Sequence, residues 1–333
     1  MAGVAGGELA AAVHKAGGIG FIGGGHTPLN SLKAEVDKAR SSIGLAADDD
    51  LPASLGVGLI LWRLEPPFLS PEAAATEPDR WLRYVLHTAR ASSLWLAFPN
   101  GGDWEGWIAR ARRIEAERER SDKVRLVVMV QRVETAKEAL EWDGVDAIVL
   151  QGTESGGHGP AHEFGAPLAS LTSHLASHVP NPASPPFVLG AGGLSSASSI
   201  AAALAPGVLA GVVPGTALCV ADEALLPRAQ KELLVHSSTS ESVRGMSWDE
   251  ARGTLGWPEG VDGRGIRNKT SEEPPKVAGS EEGRERYSRA VKEGDVERVV
   301  TWAGTGVGDV KRIAPAEEIV RELMAEVVGS PQL

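Results

Sequence analysis

The sequence predicts an α/β fold of the TIM (β/α)₈ barrel type, lacking a recognisable first strand and carrying a smaller C-terminal cap region. Three observations lead there. Seven short runs rich in Val, Leu and Ile are bounded by Gly, Pro or polar turns, segments of helical period separate them, and glycine-rich stretches fall where several runs end. Short apolar runs alternating with helical segments read as βα units of a parallel sheet. Near-continuous apolar character suits strands covered on both faces. Seven strands can form an open doubly wound sheet, whereas eight close a barrel of about 250 residues. A helix-like segment at 8–16 precedes the first visible strand, and Met1 to Gly7 has the look of a βα loop whose strand is absent. That order favours the barrel.

The strand runs are 18–22, 55–61, 94–98, 125–130, 147–151, 187–191 and 211–213. Between the second and third, 63–79 contains Pro66, Pro67, Pro71 and Pro78 and reads as an irregular excursion. Helices are expected over 79–91, 104–120, 134–142, 168–178, 195–204 and 222–236; in 104–120 the apolar face is Ile108, Ala111 and Ile114. After His236 the pattern changes. Residues 237–285 are polar and glycine-rich without strand alternation, so they form either a cap or a loosely ordered excursion. A last helix over 315–328 puts Ile319, Val320, Leu323 and Val327 on one face. The implied division is a barrel at 1–236, a cap or substrate-side region at 237–300, and a return loop and helix packing on the barrel at 301–333.

Composition narrows the function. With 333 residues, 42% hydrophobic and 23% charged, the chain is of globular type. Its net charge of −11 opposes nucleic acid and anionic membrane as partners. No apolar run approaches the roughly 20 residues of a membrane span, and no secretory leader is visible, so the expected location is cytoplasmic. The single cysteine, Cys219, excludes an intramolecular disulfide and a cysteine-rich metal site.

In a barrel, reactive groups lie on the loops leaving the carboxyl ends of the strands, and phosphate sites commonly follow the last two. Gly190-Ala191-Gly192-Gly193-Leu194-Ser195 leaves one late run, and Gly215-Thr216 leaves the next. Bare amides there suit a phosphate; the competing reading is a pair of tight turns with Ser195 as a helix N-cap. The segment Gln151-Gly152-Thr153-Glu154-Ser155-Gly156-Gly157-His158-Gly159 follows the strand at 147–151. Its glycines admit a flat ligand to the backbone, and His158 can give or take a proton near neutrality. A structural histidine is the alternative.

Other candidates carry less. His158 and His162 flank Pro160, which does not suit a zinc site, so no metal is expected. No Gly-x-Ser-x-Gly elbow is present. Cys219, at a probable helix start, has either a depressed pKa or a buried apolar role. Trp302 beside Gly304-Thr305-Gly306 is either packing or the border of a pocket.

These segments, with Met1-Ala2-Gly3-Val4-Ala5-Gly6-Gly7, Ala16-Gly17-Gly18-Ile19-Gly20-Phe21-Ile22, Trp257-Pro258, Asp262-Gly263-Arg264 and Trp302-Ala303-Gly304-Thr305-Gly306-Val307-Gly308, make the chain resemble the nitronate monooxygenases, in particular their fungal-like branch. The resemblance runs nearly end to end. It implies a TIM barrel with non-covalent FMN and a smaller domain over the active site. It places Gln151, Gly156 and Gly157 at the flavin, Gly192 and Gly193 at its phosphate, and Val213, Pro214, Gly215 and Thr216 in the same cradle. Met1 and Ala2 fall at the isoalloxazine, with Asn100 and Gln131 as further contacts. His158 falls on the family's active-site histidine, which binds the anionic substrate or removes an α-proton from a neutral nitroalkane.

The implied reaction oxidises an alkyl nitronate or propionate-3-nitronate with O₂ to a carbonyl compound and nitrite. Its partners are the small-molecule nitronate and O₂, and the expected assembly is a monomer or homodimer. Two departures stand out. Relatives carry a strand reading roughly Pro-Ile-Ile-x-Ala-Pro before the equivalent of Met1, and many have an Arg and an aromatic where this chain has Ala217-Leu218-Cys219. The alternatives are an FMN-dependent NAD(P)H oxidoreductase of the quinone or enoyl-thioester reductase type, which shares the Gly-Gly-His segment, and a degenerate flavin-binding protein.

Overall fold

The structure, a computed structural model, describes residues 2–25, 27–118, 122–178 and 186–328. Its strands in chain order are β1 (Gly20–Gly23), β2 (Leu55–Ile60), β3 (Ser93–Ala97), β4 (Arg125–Val130), β5 (Ala147–Gln151), β6 (Gly157–Pro160), β7 (Phe187–Ala191), β8 (Gly211–Val212), β9 (Ser242–Gly245) and β10 (Val261–Ile266). Seven of them form one sheet in the order β1-β2-β3-β4-β5-β7-β8, and each neighbouring pair is parallel. These are the seven runs read from the sequence, with ends moved by a residue or two.

Side-chain alternation divides the molecule into two cores. Leu55, Val57 and Leu59 of β2, Leu94 and Leu96 of β3, and Leu126, Val128 and Val130 of β4 join the large cluster shared with the helices. The alternate positions, Trp95, Ala97, Val127, Val149 and Ala191, form a second cluster with Phe21, Ile60, Met129, Leu189 and Val213. Strand residues alternate faces with period two, so a shared inner cluster reaching from β1 to the end of β8 means that the sheet curls as a barrel wall does. Phe21 meets Trp95 edge-on at 5.2 Å, crossing Gly56, where a Cβ would lie 2.5 Å from the Phe21 ring.

The sheet's ends, β1 and β8, are not paired with each other among the described residues. The segment before the first helix links this region instead. The Ala5 carbonyl accepts from Gly23 N at 2.9 Å and the Val4 carbonyl from Leu225 N at 3.0 Å. The helix Gly7–Lys15 then packs on the helix Leu29–Ser42 and on β1. The approach to β1 demands glycine, since a Cβ on Gly20 would sit 2.0 Å from the Ala10 carbonyl oxygen. Gly20→Ala is therefore expected to destabilise the fold by about 1–3 kcal/mol through forced backbone separation. An unchanged urea midpoint would contradict that packing.

Three segments differ from the sequence reading. Within 63–79, Pro71 is the first residue of a helix, Pro71–Arg83, capped by the Ser70 side chain; Pro at that position starts a helix because its missing N–H is not needed there. Leu29–Ser42 is a helix that the sequence reading did not single out, burying Leu32, Val36 and Ala39. At 222–236, Pro227 moves the helix start to Arg228.

Residues 237–285 are ordered, not a loose excursion. β9 and β10 pair antiparallel, β10 also pairs antiparallel with β6, and Trp248, Ala251, Ala278, Tyr287 and Val300 form a core of their own. Alternation failed as a guide because glycines interrupt these strands, and at Gly263 the missing side chain makes room for the Trp302 ring, 2.6 Å from where its Cβ would be. The terminal helix, Ala316–Val328, packs on the helices Ala197–Leu204 and Gly7–Lys15. No helix among the described residues is long and apolar enough to cross a membrane.

Candidate active site

Parallel strands deliver their following loops to one end of the sheet, and the predicted segments meet there. The return segment after β10 threads between them. Thr305 N donates to the Glu154 carbonyl at 2.9 Å, and Gly304 N donates to Thr216 Oγ1 at 2.9 Å. A Cβ on Gly156 would lie 2.4 Å from Gly304 N, and one on Gly306 would lie 2.6 Å from the Gly193 carbonyl oxygen. Gly156, Gly193 and Thr216 are thus drawn around one strand of backbone. The loops after β7 and β8 are joined by Val213 N donating to the Gly190 carbonyl at 2.8 Å, with Pro214 and Gly215 following directly.

This corner holds unsatisfied donors. Among the described residues the amides of Gly192, Gly193, Gly215 and Thr216 donate to no protein acceptor. The Ser155 hydroxyl is buried without a partner and lies 3.0 Å from where a Cβ on Gly192 would be; the space beside Gly215 is open. A buried hydroxyl is nearly always paired, and beside it the half-buried Gly192 and Gly193 and the exposed Gly215 offer amides with no protein acceptor, so the corner fits an anionic acceptor such as a phosphate. The helix N-cap beyond the glycines is Ser196, not Ser195, and it forms a capping box with Ser199.

A second set surrounds the barrel mouth. Gln131 Nε2 donates to Gln151 Oε1 at 2.8 Å, and Gln151 Nε2 donates to the His158 carbonyl at 3.0 Å. His158 lies on β6, opposite Gly263 of β10. Its ring stacks on Trp257 at 3.6 Å and 12° between planes and meets Trp302 at 4.9 Å. Trp257 in turn packs on Trp62 and Phe98. The indole N–H groups of Trp62, Trp95 and Trp257 are buried without partners, all three within or against the inner cluster.

The third neighbour of His158 is Asp249, on the helix Ser247–Arg252. His158 Nε2 lies 3.0 Å from Asp249 Oδ1 and 2.9 Å from Oδ2. The histidine side chain is 11% exposed and the aspartate 0%. Burial pushes the imidazole below its ordinary value; the Asp249 hydrogen bond and charge oppose this, and the Arg252 and Arg244 cations add to the depression. Near neutrality the ring is uncharged.

The remaining predicted residues lie elsewhere on this rim. Asn100 is turned toward the segment after β2, its amide N donating to Glu65 Oε2 at 2.7 Å and its side chain to the Pro66 carbonyl at 2.8 Å. Ala2 is half-buried in the turn before Val4, and Met1 lies outside the described residues. Gly157 has φ +73° and open space beside it. His162 is exposed. Cys219 is not activated: burial raises its thiol pKa, contrary to the depression a helix start suggested.

Sequence reasoning missed Asp249. It is 91 residues from His158 on a six-residue helix, so no spacing rule connects the two. Trp257 was visible only as part of a motif.

A family model described as nitronate monooxygenase matches residues 108–326. The nitronate monooxygenase of Neurospora crassa is 33% identical over 97% of this chain and 86% of its own length. That of Metarhizium robertsii is 29% identical over 94% of this chain and 85% of its own. Among solved structures, nitroalkane oxidase from Streptomyces ansochromogenes is similar with a TM-score of 0.71 at 26% identity, covering 98% of this chain and 94% of that one. FabK from Thermotoga maritima, at 22% identity, shares the fold with a TM-score of 0.69 over 98% of this chain and 90% of its own.

Proposed function

The chain belongs to the nitronate monooxygenase family and is an oxidoreductase, and from that premise we propose that it oxidises alkyl nitronates or propionate-3-nitronate with O₂ at a bound FMN, yielding a carbonyl compound and nitrite. The observation that carries this reading is the joining of two features at one end of the sheet: a corner of unpaired amides around Gly192, Gly193, Gly215 and Thr216, and a buried neutral histidine at the mouth. FMN supplies the redox capacity that no side chain here possesses.

The residues divide the remaining work. The four amides, the Ser155 hydroxyl and the turn Val213-Pro214 would hold the phosphate, with binding strengthened because these donors give up no protein acceptor. Gly156, Gly157, Gln131 and Gln151 would lie along the ring system, where the Trp62 and Trp257 indole donors match carbonyl acceptors. Met1 and Ala2 are proposed at the isoalloxazine, with Asn100 as a further contact. Trp257, stacked on the His158 ring, and Trp302, bordering it, would limit its contact with water, and residues 237–300 would act as the cap that supplies Asp249.

The neutral ring favours the base over the cation as the role of His158. With a neutral nitroalkane, kcat/KM is expected to rise with pH through a value below 6.5, where the ring loses its proton, and to stay level above it. A rising limb centred above 6.5 would contradict a buried neutral base. The same depression carries a sign for stability: the unfolded chain binds more protons in that window, so this contribution is fully present above about pH 6.5 and is lost as pH falls through the folded value. The whole reading is tested by nitrite release from propionate-3-nitronate in air with no NADPH added. Nitrite is the expected product, and its absence from FMN-loaded protein would overturn the assignment.

A further inference from the structure

We propose that Asp249 is the positioning residue of this site, fixing His158 as the Nε2–H tautomer so that Nδ1 is the nitrogen that takes a proton from a neutral nitroalkane. The inference rests on the function proposed above. Its geometry does not. Both carboxylate oxygens of Asp249 lie within 3.0 Å of Nε2, and an ionised carboxylate only accepts hydrogen bonds. The single ring proton of neutral His158 therefore sits on Nε2, and Nδ1 keeps its lone pair.

The carboxylate is itself fixed. Thr254 Oγ1 donates to Asp249 Oδ1 at 2.6 Å, Thr254 N donates to the Asp249 main-chain carbonyl at 3.0 Å, and Arg252 Nη1 lies 3.9 Å from Oδ1. The ring has little freedom to turn over, being stacked on Trp257 and bordered by Trp302. Gly263 completes the arrangement: a Cβ there would fall 2.6 Å from Trp302 and 3.5 Å from Asp249 Oδ2. An exposed structural histidine would need none of this.

In the proton step, the C–H bond α to the nitro group breaks and its proton passes to Nδ1. The released pair forms the C=N bond of the nitronate, and a nitro N=O pair moves onto oxygen; nothing is oxidised. His158 becomes an imidazolium with both nitrogens protonated. The charged groups facing it are Asp249, Arg252 and Arg244, and of these only Asp249 favours the cation. Asp249 thus orients the base before the transfer and stabilises its charge after it. Substrates supplied already as nitronates do not require this step.

The test has two arms. In FMN-loaded protein labelled with ¹⁵N-histidine, with H158Q used to identify the resonance, neutral His158 is expected to carry its proton on Nε2; a proton on Nδ1 overturns the proposal whatever the enzyme's activity. In D249N, kcat/KM toward a neutral nitroalkane is expected to fall at least tenfold further than toward its nitronate, with the rising limb of the pH profile moved to lower pH. D249E should recover part of the loss. Equal losses on both substrates, or no loss, overturn it. Failure of the wild type to oxidise any nitronate would count against the proposed function, while the nitrogen spectrum would still decide the tautomer.

Discussion

His158→Ala is expected to lower turnover of a neutral nitroalkane by about 10²–10⁴-fold, the usual contribution of a positioned general base, with bound flavin retained. The substitution also takes a donor from the fully buried Asp249 carboxylate, which keeps Thr254 Oγ1 and the nearby Arg252, and a buried acceptor that loses its partner is destabilising by about 1–3 kcal/mol. His158→Gln is the cleaner variant for that reason: its amide can still donate to Asp249, yet it cannot act as a base. Both variants should lose activity on the nitroalkane, and the alanine variant should in addition melt at lower temperature. Unchanged turnover in either, measured as nitrite release, would remove His158 from the chemistry.

Gly192→Asp is expected to abolish FMN binding. The residue has φ +128° and a Cβ there would lie 3.0 Å from Ser155 Oγ, so any side chain is strained and a carboxylate repels a phosphate held by the neighbouring amides. Strain alone is controlled by Gly44→Asp, where φ is +73° and nothing lies within 4 Å of the new Cβ. The Gly44 variant should purify with wild-type flavin content and the Gly192 variant without it, even after incubation with added FMN. Wild-type flavin content in Gly192→Asp would refute the cradle.

Much of the barrel is legible in the sequence because its strands are buried on both faces. Runs such as Leu-Val-Val-Met-Val in β4 contribute to the helix-facing and inner cores at once, and that double burial writes an unbroken apolar run. The glycine loops are legible for a related reason: the fold sends every β-to-α connection to the same end, so Gly192 and Gly215 could be placed together without knowing their distance. The three-stranded sheet β6-β10-β9 obeys neither rule. β10 carries glycines because aromatic rings and backbone occupy the space of side chains, as Trp302 does over Gly263 and the Thr301 carbonyl does over Gly265, while Gly157 of β6 takes a positive φ of +73°. A strand built that way shows no alternation.

The same cause hid Asp249. A carboxylate that serves one histidine across a tertiary contact leaves no periodic trace, and its helix is too short to show a face. His158 could be found because it follows a strand of the barrel; its partner could be found only in three dimensions. The Leu29–Ser42 helix was overlooked for a different reason: its buried stripe of Leu32, Val36 and Ala39 is narrow among polar residues.

The unpaired amides and the buried histidine are proposed to serve one flavin reaction driven by a nitronate. Its most direct test is the visible spectrum of the purified chain under anaerobic conditions, first with propionate-3-nitronate and separately with NADPH. Oxidised-flavin bands that bleach with the nitronate alone are expected. Bands that bleach with NADPH alone, or a colourless protein that takes up no FMN, would contradict it.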